Sequence, residues 1–132
     1  MRGAIQTRDG VFLVDLDEEL VLESSSGEVL AQAPPVAVPF PRVVAAAASG
    51  STRVAVVQRR PPLVVSYDAG TTWTEAGGGL PAGRAVAIAP DDPDLVLYAA
   101  RNRLYLSRDG GRFWRALAPE LPEILAVALR ET

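Results

Sequence analysis

Apolar and polar positions alternate along this chain in short bursts. Between residues 85 and 117 there are four apolar runs: Ala85–Ala89, Leu95–Ala99, Arg103–Ser107 and Phe113–Leu117. They are separated by Pro90-Asp91-Asp92-Pro93-Asp94, Ala100-Arg101-Asn102 and Arg108 to Arg112. Runs of five residues bounded by Pro, Asp, Asn and Gly clusters predict strands joined by tight turns. No long window keeps the 3.6-residue apolar period of a helix, and prolines recur throughout.

The pattern repeats. Ser66-Tyr67-Asp68-Ala69-Gly70-Thr71-Thr72-Trp73 returns 41 residues later as Ser107-Arg108-Asp109-Gly110-Gly111-Arg112-Phe113-Trp114. The shared frame is S-x-D-x-G-x-x-W. Leu63-Val64-Val65 matches Leu104-Tyr105-Leu106 at the same offset. Arg42-Val43-Val44-Ala45-Ala46 matches Arg84-Ala85-Val86-Ala87-Ile88, and that segment returns as Leu125-Ala126-Val127-Ala128-Leu129. A period near 40 with four short strands per unit is the mark of a β-propeller. The strands of each blade are labelled A to D from the axis outward.

The first unit is irregular. Gly3 to Thr7 reads as a B strand and Val11 to Val14 as a C strand, with no A strand before them. Leu16 falls where the repeated aspartate is due and Val21 where the tryptophan is due, so this box has decayed. Ile124 to Leu129 is a spare A strand at the other end. The order is BCD, ABCD, ABCD, A: twelve strands, three blades, permuted by one strand. The expected fold class is all-β, a single domain over 1–132. Blade 1 spans 3–37, blade 2 spans 42–80 and blade 3 spans 84–121. Three blades fall short of the four to eight that known rings use. The simplest remedy is a homodimer of six blades, with 124–130 of each chain completing blade 1 of the other. A different partner protein is the alternative.

Composition narrows the chemistry. The 132 residues carry no cysteine and no histidine, which removes disulfides, thiolate metal sites, histidine bases and histidine triads. All 13 basic residues are arginine, and the net charge of −3 argues against general nucleic-acid binding. The Ala, Val, Gly and Pro richness suggests a thermophilic source. No apolar run is long enough to span a membrane and Met1–Ile5 has no signal-peptide h-region, so the expected location is the cytoplasm.

The two eight-residue boxes resemble the Asp-box, or BNR, repeat of sialidases. The stretch from Ala87 through Pro90-Asp91-Asp92-Pro93-Asp94 and Leu97-Tyr98-Ala99 to Asp109-Gly110-Gly111 is similar to repeats of xyloglucanase-type, sortilin-type and photosystem-II-assembly-factor propellers. The resemblance covers 42 to 129 well and 1 to 41 poorly. It implies that Ser66, Asp68, Gly70, Trp73, Ser107, Asp109, Gly111 and Trp114 form a folding device away from any active site. The residues themselves point the same way. Asp68 and Asp109 suit Asx-type turns, Gly70 and Gly111 permit positive φ, and Trp73 and Trp114 begin a D strand beside the turn.

Strand order then sorts the loops onto two faces. The B–C loops carry Arg8, Arg59, Arg60, Arg101 and Arg103, and the D–A connections end in Arg42 and Arg84. The opposite face carries Asp17, Glu18, Glu19, Asp68, Asp91, Asp92, Asp94 and Asp109. Glu120 and Glu123 interrupt the arginine face. The functional expectation is a non-catalytic scaffold binding a protein or anionic ligand there, since arginine's planar fork suits carboxylate and phosphate. The bland alternative is a set of solvated turn arginines. A glycoside hydrolase or sialidase-like enzyme is the competing class. The F/Y-R-I-P motif of sialidases is missing, however, since Pro39-Phe40-Pro41-Arg42 has the wrong order. No opposed pair of carboxylates is assignable either. No cofactor or metal is expected: Asp91 to Asp94 reads as a turn, and Gly77-Gly78-Gly79 as a flexible connection. Pro34 to Pro41 reads as a stiff linker, with Phe40 as an exposed contact.

Overall fold

A computed structural model describes residues 1–26, 29–31 and 34–130. It contains twelve strands in three four-stranded antiparallel sheets. Blade 2 is β4 (Val43–Ser49), β5 (Thr52–Val57), β6 (Leu63–Ser66) and β7 (Thr74–Ala76), hydrogen-bonded in that order. Blade 3 is β8 (Ala85–Ala89), β9 (Asp92–Ala99), β10 (Arg103–Ser107) and β11 (Arg115–Glu120). Blade 1 joins β1 (Arg2–Thr7), β2 (Gly10–Asp15) and β3 (Leu20–Ser25) to β12 (Ile124–Arg130), in the order β12-β1-β2-β3. The all-β class, the twelve strands and the permutation by one strand are as the repeat implies. Boundaries shift at several places: β1 and β2 are longer by one or two residues, β9 begins at Asp92, β11 ends at Glu120, and the D strands begin one residue after Trp73 and Trp114.

The blades stand in the order 2, 3, 1. Strand β8 lies between β4 and β12, so the inner strands of all three blades meet around it. Strand alternation explains the two interfaces. Val54 and Val56 face blade 3 and bury against Val86, Ile88, Val96 and Tyr98. On the other side of blade 3, Ala87, Leu97 and Leu106 bury against Ile5, Val14, Leu16 and Leu129. Both faces of blade 3 are covered, which is why β8 reads as an unbroken apolar run, buried throughout. Each fully buried Leu or Val contributes roughly 1.5–3 kcal/mol. The inner strands carry alanines, which let the sheets converge towards the axis, while Tyr98, Tyr105 and Trp114 fill the wider space further out.

One expectation is corrected within the single chain. β1 pairs with β12 of the same chain, from Arg2↔Arg130 to Thr7↔Ile124, where the sequence reading gave that strand to a partner. Connection lengths supply the reason. Only residues 121–123 separate β11 from β12, so β12 must stay beside blade 3. Residues 26–42 separate β3 from β4, and 17 residues reach up to about 55 Å when extended. The long connection therefore makes the crossing. Leu30 N donates to Gln6 Oε1 of blade 1 at 3.1 Å, and Arg53 Nη1 of blade 2 donates to Ala37 O at 3.3 Å. Pro34, Pro35 and Val36 lie beside β4, β8 and β12 on the way. The connection then lays Val38 and Phe40 on Ala55, Val57 and Val64, the side of blade 2 that faces away from blade 3.

Candidate functional site

The two boxes are built alike. Ser66 Oγ donates to Asp68 Oδ1 (2.8 Å) and accepts from Gly70 N (2.8 Å). Asp68 accepts from Thr72 N (2.8 Å) and Thr72 Oγ1 (2.6 Å), and Trp73 Nε1 donates to Gly70 O (3.1 Å). In the second box Ser107 Oγ donates to Asp109 Oδ1 (2.8 Å) and accepts from Gly111 N (2.9 Å). Asp109 accepts from Phe113 N (2.9 Å) and Trp114 Nε1 donates to Gly111 O (2.8 Å). Gly70 and Gly111 stand at φ 91° and 94°, where a side chain would strain the turn. The hydrogen bonds favour the ionised carboxylates. Thr72, through its hydroxyl and then its N–H, holds Asp68 down to about 2, and the Phe113 N–H leads the lowering of Asp109. These side chains are consumed by the turns.

The decayed first box is repaired one residue early. Asp15 Oδ1 accepts from Asp17 N and Glu18 N, both at 2.9 Å, and Leu16 is fully buried in the core. Sequence reading placed the loss at Leu16 and missed Asp15, whose signal was an Asp two residues before another acidic residue in a turn.

The face expected to be acidic is mixed. Arg108 Nη2 meets Asp17 Oδ1 at 2.8 Å and Arg115 Nη2 meets Glu19 Oε2 at 2.6 Å, tying blade 3 to blade 1. The Arg108 hydrogen bond leads the lowering of the Asp17 pKa. Tyr67 of blade 2 donates to Gly110 O of blade 3 at 2.8 Å, and Arg112 lies 4.4 Å over its ring. Asp91, Asp92 and Asp94 form a turn in which Asp94 N donates to Asp92 Oδ1. Among the described residues no group of three His, Cys, Asp or Glu side chains is placed to hold a metal ion. No helix there is long and apolar enough to cross a membrane.

The arginines of the other face do not gather at one point. Arg59 and Arg60 line a cavity of about 400 Å³ between blades 2 and 3, together with Val44, Val57, Gly83 and Arg84. Arg103 turns away, its Nε donating to Leu117 O of its own blade at 3.0 Å. Arg8 is drawn to Glu123 at 3.6 Å, the carboxylate that also meets Arg84, and Arg101 is exposed on the β9–β10 turn. Arg59 is 3.9 Å from Glu75 and covers the Phe40 ring at 5.3 Å. Phe40 itself meets Trp73 edge-on at 5.5 Å, so it is half-buried where the sequence suggested an exposed contact. The most exposed aromatic among the described residues is Phe113, 79% accessible, at the box position where blade 2 has Thr72.

The floor of the arginine cavity is fixed from below. Tyr98, buried, donates from its hydroxyl to Pro81 O at 2.6 Å. Its ring packs edge-on against Trp114 (5.7 Å) and Tyr105 (6.1 Å). Burial, with a smaller push from Tyr105, raises this phenol to about 12. The residues after Pro81 are Ala82, Gly83 and Arg84, so Tyr98 anchors the connection that carries Arg84. A second, axial cavity of about 590 Å³ adjoins the first and shares Val44 and Arg84 with it. Ala45, Ala85, Ala126, Val127 and Pro34 line it.

Comparison with solved structures places this architecture. The structure titled YCF48 bound to D1 peptide superposes with a TM-score of 0.52 at 18% identity, over 92% of this chain and 42% of that one. The GH74 enzyme of Niastella koreensis superposes with a TM-score of 0.50 at 24% identity, over 86% of this chain and 17% of that one. This is the Asp-box β-propeller fold. The chain spans less than half the length of either Asp-box propeller it matches. One relative is a peptide-bound protein and the other an enzyme, so the Asp-box propeller fold is shared across both kinds. No protein-family model and no curated protein matches the chain.

Proposed function

We propose that this propeller arc is a non-catalytic scaffold that binds a protein or other ligand through its carboxylate or phosphate groups. The site is the face of B–C and D–A loops, centred on Arg59, Arg60 and Arg84. One observation carries the reading: the cavity between blades 2 and 3 is lined by three arginines and no carboxylate. Guanidinium forks around a half-enclosed, partly apolar cavity favour a bidentate anion. Among the described residues, neither the arginine cavity nor the axial cavity is lined by a carboxylate. Glycoside hydrolysis requires two opposed carboxylates.

The same reading includes a homodimer of two arcs, six blades in all. Blade 1 is already complete, so the support lies in exposed apolar residues rather than in strand edges. Val43 and Val44 of β4 and Leu125 of β12, on the inner strands of the two end blades, are exposed apolar residues that line the axial cavity. A twofold axis sets the first end of one arc against the second end of another.

Titration of inorganic phosphate, and of tetraglutamate as a peptide probe, tests the site. Saturable binding that weakens with salt and disappears in the R59Q/R60Q/R84Q variant is expected. Binding unchanged in that variant would refute it. Turnover of fluorogenic glycosides by the chain would overturn the non-catalytic part. Light scattering reads the ring directly: twice the chain mass is expected, and a monomer at all concentrations contradicts the dimer.

A further inference from the structure

Arg84 stands where three environments meet. It lines the arginine cavity with Arg59 and Arg60, and it lines the axial cavity with Ala85 and Val86. Its Nη1 is also 3.1 Å from Glu123 Oε1. The other carboxylate oxygen, Oε2, is 3.6 Å from Arg8 Nη2 of blade 1. Glu123 is held in place by its backbone neighbours. Leu121 N donates to Asn102 O at 3.0 Å, and Ile124 N donates to Arg101 O at 2.8 Å, pinning the connection to the β9–β10 turn. The acid is the least exposed of the three groups: its side chain is 26% accessible, against 45% for Arg84 and 76% for Arg8. The two arginines reach a fixed carboxylate from open positions.

Resting on the anion-binding reading above, we infer that Glu123 is an internal competitor for Arg84. Its carboxylate takes the guanidinium group that a ligand's carboxylate or phosphate would take. A ligand that offers one weak contact does not displace it. A ligand that engages Arg59 and Arg60 while it recruits Arg84 does, because its additional contacts offset the lost pair. The site therefore selects multidentate anions, such as phosphate groups, over simple monocarboxylates. Among the described residues no ion pair includes Arg60, which is the first contact available to such a ligand.

The test compares inorganic phosphate with acetate on the full chain, in wild type, E123Q, R84Q and E123Q/R84Q. Binding is followed by NMR through the Arg side-chain Nε–Hε signals. A partly exposed pair is worth up to about 1 kcal/mol, so E123Q should bind phosphate about two- to fivefold tighter. It should also narrow the preference for phosphate over acetate, and the gain should vanish in the R84Q background. Melting curves of the variants confirm the fold. Equal affinity in wild type and E123Q would overturn the competition and leave the anion site standing. Weaker binding by a folded E123Q would also overturn it and make Glu123 a positioning residue for Arg84. No saturation by phosphate in any form would overturn the anion site itself, and the competition with it.

Discussion

Gly83 tests how the arginine cavity is held. A Cβ built on Gly83 would collide with the Tyr98 hydroxyl oxygen and lie 2.5 Å from Cζ and 2.6 Å from Cε2. These are two ring atoms and the hydroxyl fixed to them, not the loose end of a flexible chain. The ring is fully buried, fixed by the bond to Pro81 O and by the edge-on packing of Trp114 and Tyr105. Relief therefore requires moving either the ring or the 81–84 connection. Overpacking of this kind costs about 1–3 kcal/mol, and breaking the Pro81 bond adds about 1 kcal/mol. Gly83→Ala should thus lose about 2–4 kcal/mol in urea unfolding. For a domain of this size that is a fall in Tm of very roughly 6–20 °C. Gly78→Ala, where an added Cβ meets nothing within 4 Å, is the control and should be neutral or slightly stabilising. Placing Gly83→Ala in a Tyr98→Leu background should recover much of the loss, with a coupling energy of 1 kcal/mol or more as a rough guide. A Gly83→Ala protein within about 0.5 kcal/mol of wild type would show that the Tyr98 ring does not hold the 81–84 connection in this way.

Other consequences follow from single contacts. The folded pKa of Asp68 lies at about 2, below the usual value of about 3.9 for an unfolded chain. The stability it supplies is thus complete above about pH 4 and lost as pH falls from there towards 2. Urea midpoints of D68N should depend less on pH than wild type across that window, and identical profiles would contradict the box geometry. Leu16→Ala empties a fully buried position and should cost about 2–5 kcal/mol, while Leu20→Ala, 57% exposed on β3, should cost under about 0.5 kcal/mol by the same unfolding assay.

Much of this fold is legible in the sequence because propeller blades are local structures. Each strand pairs with the next, so turn residues and short apolar runs suffice to find β4 to β11. The boxes are legible for the same reason: every bond of Asp68 and Asp109 falls within four residues. What is not local is harder. Ile124 to Leu129 reads as an A strand with no blade of its own, but nothing in its pattern says which chain's β1 it joins. In the structure the 26–42 connection is long enough for β1 of the same chain to reach β12. Loop order also assigns arginines to a face without giving their directions. Arg59, Arg60 and Arg84 converge on one cavity, whereas Arg103 bends back to a backbone carbonyl and Arg8 is drawn to Glu123. Phe40 behaves likewise: between two prolines it looks exposed, yet the crossing connection delivers it to Trp73.

One chain closes its own first blade. Ala4 and Ala128 are directly opposed across β1 and β12. Opposed residues in antiparallel strands have Cα atoms about 4.5–5.5 Å apart, within the range a disulfide spans. The chain has no other cysteine, so an Ala4→Cys/Ala128→Cys variant can be oxidised without competing pairs. On a non-reducing gel the oxidised variant should carry a cross-link within one chain and run as a compact monomer at every protein concentration. A covalent dimer that forms even in dilute solution would contradict it and assign β12 to a partner.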